Sequence, residues 1–519
     1  MKHIYLIISF LLYAVCFFIL FPYNRFNIDS DGIAYIQEAR QYAWGNYFTA
    51  LNGCWSPLLS WMLIPFIKAG CDPVVCCKYI NGFIGACSLF SFYALSQKFY
   101  IKQWLKPVIP LAFAIFTLSS AFKLLGPDGL QTFLLSLYLN LIFSRRFIYS
   151  RPKLLLCGLL GALCYYAKSY NFFFFIIHIS IVIFLLCRKA RRENFFKFYL
   201  SKITMVFIAF VIFSAPYIIL LTNKYQQFTI SSATSITVNK SLEPFFTDGR
   251  KLVVAPANPQ ALAIADDPTY FQQHYITPFT SANYFFKQVK ITIWNIFDYT
   301  RLLNEISIFA ITILLAFSIY LYHRSGMNWQ PNEVFLLITA ILYPSGYLLI
   351  ALEWRYIWLI PVVLLLMAAI LVSKISIPPQ QKNLWRFVTV IAIFSFFVKP
   401  IRELKENISN KPWIYNATRA LKQHGIAGNF FGPNADYVNA SRNYYFCYLN
   451  NSRLFGVFTR DYTTSEILDA AIKYQVKYFF NYYDTPAEKE YILRSALAAA
   501  SVKVYDSLYT GIIVFQIAR

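Results

Sequence analysis

Residues 4–44 read IYLIISFLLYAVCFFILFPYNRFNIDSDGIAYIQEARQYAW. The first part, residues 4–21, is an apolar run without a charge, close to the roughly 20 residues that carry a helix across a bilayer. Phe21-Pro22-Tyr23-Asn24-Arg25 follows and offers no small-residue cleavage site. The segment therefore reads as a retained first span rather than a removed secretion signal. Just beyond it, Asn27-Ile28-Asp29-Ser30-Asp31-Gly32-Ile33-Ala34-Tyr35 carries an acidic pair, Asp29 and Asp31. Ionisable side chains placed where a membrane segment meets water mark a candidate functional site. From Ile33 to Trp44 the spacing turns helical with aromatics on one side. That pattern predicts an amphipathic helix lying in the interface, ended by Gly45-Asn46.

The apolar pattern recurs along the chain. Of 519 residues, 58% are hydrophobic and 14% charged, against roughly 25% charged in a soluble domain. Candidate spans fall near 4–21, 75–97, 107–125, 129–145, 154–168, 170–187, 203–222, 303–322, 333–352, 356–373 and 386–399, or about eleven transmembrane helices. With the N-terminus cytoplasmic, the inner loops collect Lys98, Lys102 and Lys106, then Arg145, Arg146, Arg151 and Lys153, then Arg188, Lys189, Arg191, Arg192, Lys197 and Lys202. Arg324, Lys374, Lys382 and Arg386 fall on the same side. This asymmetry follows the positive-inside rule and accounts for the net charge of +23. Nucleic acid is an unsuitable partner, since no arginine-rich tract with interleaved aromatics and no zinc-type spacing is present. No GxGxxG or P-loop motif appears, which argues against a nucleotide-consuming enzyme.

The fold class predicted is a multi-span α-helical membrane domain over residues 1–400 with a soluble extracytoplasmic α/β domain over 401–519. Two outer loops stand out. Residues 23–74 hold the helix after Asp31 and a second apolar piece, Ser56–Lys68, interfacial or partly re-entrant. Residues 223–300 are long enough to form a lid. In the C-terminal part, Thr463-Thr464-Ser465-Glu466 caps a helix through Tyr474, Val476–Asn481 reads as a strand, Pro486–Ala500 as a helix and Gly511–Ile517 as a final strand. Of ten cysteines, Cys16, Cys87, Cys157, Cys164 and Cys187 lie in apolar runs and behave as small hydrophobes. Cys76-Cys77 reads as packing. Cys54 and Cys71 share an outer loop, and their pairing stays open. His178, in a phenylalanine-rich run, reads as core.

Four polar sites fall on the outer side of this topology. They are Asp29 with Asp31; Asp128 in Leu125-Gly126-Pro127-Asp128-Gly129; Lys168 in Tyr165-Tyr166-Ala167-Lys168-Ser169-Tyr170; and Glu353 with Arg355 in Leu352-Glu353-Trp354-Arg355-Tyr356. Each has a plain structural use. Asp31 would cap the next helix, Asp29 would be a solvated loop acid, Asp128 suits a turn, Lys168 would snorkel to headgroups, and Glu353 and Arg355 would pair. Together they suit transfer of a sugar from a lipid phosphate. An acceptor hydroxyl needs a carboxylate general base, and a departing phosphate needs cations aimed at it. Lys168 and Arg355 are cations on the side that the charge rule disfavours. No His/Asp/Glu cluster has metal spacing, so no tightly bound metal is expected; a loosely held divalent ion at Asp29 and Asp31 is left open.

At these residues the chain resembles the GT-C class of integral-membrane glycosyltransferases, most nearly the branch with protein O-mannosyltransferases and the lipid A aminoarabinose transferase. That class has an acid in the first outer loop, a tyrosine four positions on, and a small residue plus arginine at the helix end; Asp31, Tyr35, Ala39 and Arg40 match. It often has a second acid beside the first. Gly32 stands there in this chain, which leaves Asp29 as a candidate substitute. Pro127-Asp128 is similar to its second acidic site. Gly158-Leu159-Leu160-Gly161-Ala162 followed by Lys168 resembles its glycine-rich span ending in a lysine near the donor phosphate. Glu353-Trp354-Arg355-Tyr356 followed by Pro361 resembles its late arginine-tyrosine element.

The resemblance implies an inverting glycosyltransferase on the outer face, using a polyprenyl-phosphate-linked sugar donor in the lipid bilayer. Asp31 would be the general base, with Asp29 and Asp128 as further catalytic acids. Lys168 and Arg355 would bind the donor phosphate, and Tyr35, Arg40, Glu353 and Tyr356 would position substrate. Two other classes compete. A transporter or lipid flippase would show charged sites near mid-membrane and an internal repeat, neither of which is visible. A non-catalytic glycan-assembly subunit would lack lipid-phosphate binding. The sequence names neither the sugar nor the acceptor.

Overall fold

The computed structural model describes residues 3–190, 194–242, 255–271, 276–324, 330–374, 381–408, 412–433, 437–458, 463–508 and 510–517. All eleven apolar segments are helical. Among the described residues, seven helices are long and apolar enough to cross a membrane: Ile4–Asn24, Pro73–Ser96, Gln103–Lys123, Asn171–Lys189, Phe195–Tyr225, Pro331–Ile350 and Asn383–Asn407. An eighth is obtained only by joining Ala282–Ile306 to Ala310–His323, a pair bent by 97°. The segment predicted at 303–322 is thus no straight span. The chain breaks at Ser307, whose hydroxyl accepts from the Phe309 amide at 3.1 Å and starts the next helix.

The expected count of about eleven is not reproduced by length and composition. Asp128–Ile142, Arg151–Ala167 and Leu359–Lys374 have 15, 17 and 16 residues. The physical reason is clearest for Leu359–Lys374. Every residue from Leu359 to Ile370 is buried, so the helix is apolar all round because protein surrounds it. The protein is an integral membrane protein built around this inner helix.

The helix after the acidic pair runs Ser30–Ala43, but it does not lie half-exposed in an interface. Gly32 to Ala39, with Gln41 and Tyr42, are buried. Ser60 of the Leu58–Lys68 helix donates to the Tyr35 carbonyl at 2.9 Å and to Glu38 Oε2 at 2.6 Å. The far end meets the C-terminal part, where the Arg40 guanidinium lies 4.5 Å from the Tyr448 ring centre. The aromatic stripe read as membrane-facing is a packing face. Cys54 and Cys71 are both free thiols. His178 is a core residue, bonded to the Tyr138 hydroxyl at 2.6 Å and to Thr339 at 3.0 Å.

The helix Lys382–Ile408 runs on past residue 400. Residues 413–517 form five strands, β1 Asn429–Pro433, β2 Arg453–Phe458, β3 Tyr478–Tyr482, β4 Ser501–Ser507 and β5 Ile512–Ile517, in the order β2-β1-β3-β5-β4. β1 is parallel to β2 and β3, while β5 is antiparallel to β3 and β4. The capping box at Thr463 and Glu466 starts the helix Thr464–Tyr474. The helix predicted over 486–500 is split into Pro486–Leu493 and Ala496–Ala499, because Ser495 accepts from the Ala498 amide and begins a new turn. The strand after Val476 begins at Tyr478.

Segment 255–271 ties this sheet to the loop between the first two membrane-spanning helices. The Leu454 amide donates to the Leu262 carbonyl at 2.8 Å, and Arg453 donates to the Ala261 and Asn258 carbonyls, both at 3.1 Å. On its other side, Asn52 donates to the Asp266 carbonyl at 2.6 Å and the Trp55 indole to that of Ala265 at 2.8 Å.

Candidate active site

Asp29 sets the position of everything after it. Its backbone is extended, and its Oδ1 accepts from the Gly32 amide at 2.8 Å, capping the Ser30–Ala43 helix. Its Oδ2 accepts from the Leu125 amide at 2.8 Å. One carboxylate thus joins the Ser30–Ala43 helix to the turn that carries Asp128. Burial, then the neighbouring Asp31, pushes the Asp29 carboxyl above its usual range. Both oxygens are engaged by backbone donors, so Asp29 is a strut and not the substitute acid that the sequence left open. Gly32 explains the missing second acid: a Cβ there would lie 2.3 Å from Leu125 Cβ, so no carboxylate side chain fits.

Asp31, in the first helical turn, benefits from the helix N-terminus. Its Oδ2 lies 2.7 Å from Arg355 Nη2, with the two side chains 28% and 17% exposed. Arg355 sits in a single 3-10 turn, Trp354–Ile357, between the helices Pro331–Ile350 and Leu359–Lys374. Its Nε donates to Glu353 Oε2 at 2.7 Å, and Glu353 Oε1 accepts from the Tyr356 hydroxyl at 3.0 Å. Burial alone would lower the Arg355 pKa; Asp31 and Asp128 outweigh it and raise the value, so the guanidinium stays charged.

Lys168 ends the helix Arg151–Ala167 with an extended backbone. It forms an ion pair with the buried carboxylate of Asp128, and its ammonium lies 4.0 Å from the Tyr356 ring centre. Gly158 is why that helix can deliver Lys168 here. A Cβ at Gly158 would lie 2.3 Å from the Val206 carbonyl oxygen, so the helix packs directly against the backbone of Phe195–Tyr225.

The structure therefore brings together Asp31, Arg355, Glu353, Tyr356, Lys168 and Asp128, which come from four separate turns. Tyr35 is buried beside them with its ring edge-on to Trp55 at 5.3 Å. Burial, then Asp128 and Asp31, holds its hydroxyl well above the ordinary phenol range, which keeps it a neutral donor. Arg40 is not brought to the cluster. It donates to Gln37 at 2.8 Å and faces Tyr448, so the substrate-positioning role expected for it is corrected to a contact with the C-terminal part.

Five residues of the site were not expected. Tyr347 stacks on Tyr356 at 5.0 Å and on Tyr170 at 3.7 Å. Behind them Gln131 donates to the hydroxyls of Tyr343 and Tyr347 at 3.0 and 3.4 Å and to Asn171 Oδ1 at 3.2 Å. The only signal for them was the four-residue spacing of Tyr343 and Tyr347, which in an apolar helix reads as packing.

Among the described residues no three His, Cys, Asp or Glu side chains are grouped so as to hold a metal ion. Asp29 and Asp31 do not form a ready donor set, because backbone amides occupy the first and Arg355 the second.

No protein-family model matches the chain, and no curated protein matches it by sequence. Solved structures do match. ArnT from Cupriavidus metallidurans bound to undecaprenyl phosphate is 10% identical with a TM-score of 0.56, over 98% of this chain and 97% of that one. The apo oligosaccharyltransferase of Archaeoglobus fulgidus is 11% identical with a TM-score of 0.55, over 92% and 69%. The archaeal oligosaccharyltransferase AglB from the same organism, with an inhibitory peptide and a dolichol-phosphate, is 10% identical with a TM-score of 0.52, over 88% and 66%. The chain has the GT-C fold. It spans 64% of the zinc- and sulfate-bound form of the archaeal enzyme and nearly all of ArnT. At such identity the likeness concerns the path of the backbone. The chemistry of this GT-C chain rests on its own cluster.

Proposed function

We propose that this protein transfers a sugar from a polyprenyl-phosphate-linked donor to an acceptor hydroxyl at the outer membrane–water interface, with inversion. The observation that carries the reading is the 2.7 Å pair between Asp31 and Arg355, beside the ion pair of Lys168 and Asp128. An acid for the incoming alcohol and two cations for the outgoing anion stand within one cluster. The N-terminus is cytoplasmic, and the cluster and the residues 413–517 sheet face the other side. The solved GT-C structures bound to undecaprenyl phosphate and to a dolichol-phosphate support a donor of this class.

In the resting site Asp31 and Arg355 neutralise one another. The phosphodiester monoanion of the donor competes with Asp31 for the guanidinium and draws it away, because bidentate Arg–phosphate contacts are strong; the second negative charge forms only as the sugar leaves. Asp31 is then free to accept the proton of the acceptor hydroxyl. The hydroxyl oxygen bonds to the anomeric carbon from the face opposite the phosphate. The bond from that carbon to the phosphate oxygen breaks, and its electron pair leaves on polyprenyl phosphate, held by Arg355 and Lys168. Asp128 keeps Lys168 in place, Glu353 orients Arg355 and accepts from the Tyr356 hydroxyl, Tyr356 presents its ring to Lys168, and Tyr35 donates a hydrogen bond to substrate.

The test is Asp31→Asn in purified protein, assayed with polyprenyl-phosphate sugars and a panel of acceptor hydroxyls. Transfer is expected to fall by about 10²–10⁴-fold with donor binding kept. Transfer at the wild-type rate would remove Asp31 as the base.

A further inference from the structure

The helix Ala282–Ile306 has three distinct faces. One packs on protein: Asn295 donates to the Leu348 carbonyl at 2.9 Å, Gln288 to that of Leu349, and Leu302 and Ile306 are buried. A second carries the charges Lys287, Lys290, Asp298, Arg301 and Glu305. The third is apolar and exposed: Phe286 at 70%, Ile293 at 49% and Phe297 at 64%, with Phe285 and Val289 beside them; exposed Trp294 lies among the charges, between Lys290 and Lys287 in projection. At 100° per residue the apolar and charged faces sit about 120° apart on the helix. The helix lies 97° from the apolar helix Ala310–His323 that follows it. The two helices therefore cannot both run along the membrane normal, and the exposed apolar stripe of Ala282–Ile306 favours a course along the bilayer surface.

We propose that Ala282–Ile306 is an in-plane anchor in the outer headgroup layer, its apolar face on the acyl chains and its basic half on anionic lipid headgroups. The partner is a lipid surface, not a second protein. An exposed row of phenylalanines flanked by a face that carries lysines and a tryptophan is the composition that such a surface selects. Charge supports the anionic preference. Asp298 pairs with Arg301 at 3.3 Å, and Glu305 pairs with Lys399. Lys287 and Lys290 have no acid within one helical turn along the sequence; the Lys287 ammonium donates to the Leu242 carbonyl at 3.4 Å, and the N-terminal half carries an uncompensated positive charge centred on exposed Lys290. The anchor adjoins the site at both ends. It holds Leu348 and Leu349, next to Tyr347, and through Glu305 it holds Lys399, whose ammonium lies 4.0 Å from the Trp354 ring centre, next to Arg355. The inference does not depend on the transfer reaction.

The full chain is reconstituted in phosphatidylcholine bilayers containing phosphatidylglycerol, and the fluorescence of wild type minus that of Trp294→Phe isolates Trp294. Lipids brominated high on the acyl chain should quench that difference signal strongly, and aqueous iodide weakly. Headgroup spin-labelled phosphatidylglycerol should quench it more than spin-labelled phosphatidylcholine, and Lys287→Gln with Lys290→Gln should abolish that excess. Strong iodide quenching without brominated-lipid quenching overturns the anchor, as does protection from both with cross-linking between two copies through this face. Equal quenching by the two spin-labelled lipids overturns the anionic preference. None of these signals requires activity, so a failure here is distinct from a failure of the proposed reaction.

Discussion

Asp31 and Arg355 hold each other at 2.7 Å, and each is needed for a different half of the proposed chemistry. Replacing Arg355 by lysine keeps the charge but loses the planar fork that spans Asp31 and Glu353. Arg355→Lys is expected to raise the apparent KM for the lipid donor about tenfold or more, measured with acceptor saturating; an unchanged KM would place the phosphate elsewhere. Asp29→Asn keeps the shape but sets an NH2 donor against one of the two backbone amides that Asp29 accepts from, a loss on the order of 1–3 kcal/mol that thermal unfolding in detergent would show together with reduced transfer. The acids and cations of the cluster were legible because each interrupts apolar sequence at the end of a helix, where a charge needs a reason. Gln131, Asn171, Tyr343 and Tyr347 were not, because they sit inside apolar helices and become a network only when two helices meet. Arg40 misled because a charged helix end looks the same whether it meets substrate or another part of the protein.

The helix Arg151–Ala167 reaches its place by lying against the backbone of Phe195–Tyr225, and Gly158 is the contact point. Gly158→Leu would force a side chain into the Val206 carbonyl. Overpacking of this kind costs about 1–3 kcal/mol or more. Because Lys168 ends this helix, transfer should fall along with the Tm. A variant with lowered Tm but full transfer would show that the cation tolerates a displaced helix. The helices themselves were readable from apolar runs, whereas their number of membrane crossings was not. Leu359–Lys374 shows why: an apolar run reports removal from water, and burial in protein satisfies it as well as burial in lipid. The Ser30–Ala43 helix failed for the same reason, since its aromatic side faces protein.

Segment 255–271 fastens the loop after the first span to the sheet, and Asp266 is its central group. Its carboxylate takes the Tyr444 hydroxyl and accepts from the Leu262 amide at 2.5 Å. Burial, against these hydrogen bonds, pushes its pKa up to about 6. The folded protein therefore keeps a proton that the unfolded chain has lost between pH 4 and 6. The stability from that proton is fully present below about pH 4, falls as pH rises to about 6, and is flat above, a change on the order of 3 kcal/mol. Asp266→Asn should remove this slope from the pH dependence of Tm; an unchanged slope would assign it to another group. Nothing in the sequence of residues 223–300 foretold this fastening, because its partners lie about 200 residues away in both directions. The long segment read as a lid contains, in 255–271, a strap whose hydrogen bonds go mostly to other parts of the chain. On the scale of the whole protein, the decisive experiment is an experimental structure of the purified chain with undecaprenyl phosphate bound. A glycosyl-transfer site at this rim predicts the phosphate in contact with Arg355 and Lys168, with the Asp31–Arg355 pair opened. A phosphate bound elsewhere, with that pair intact at 2.7 Å, would contradict it.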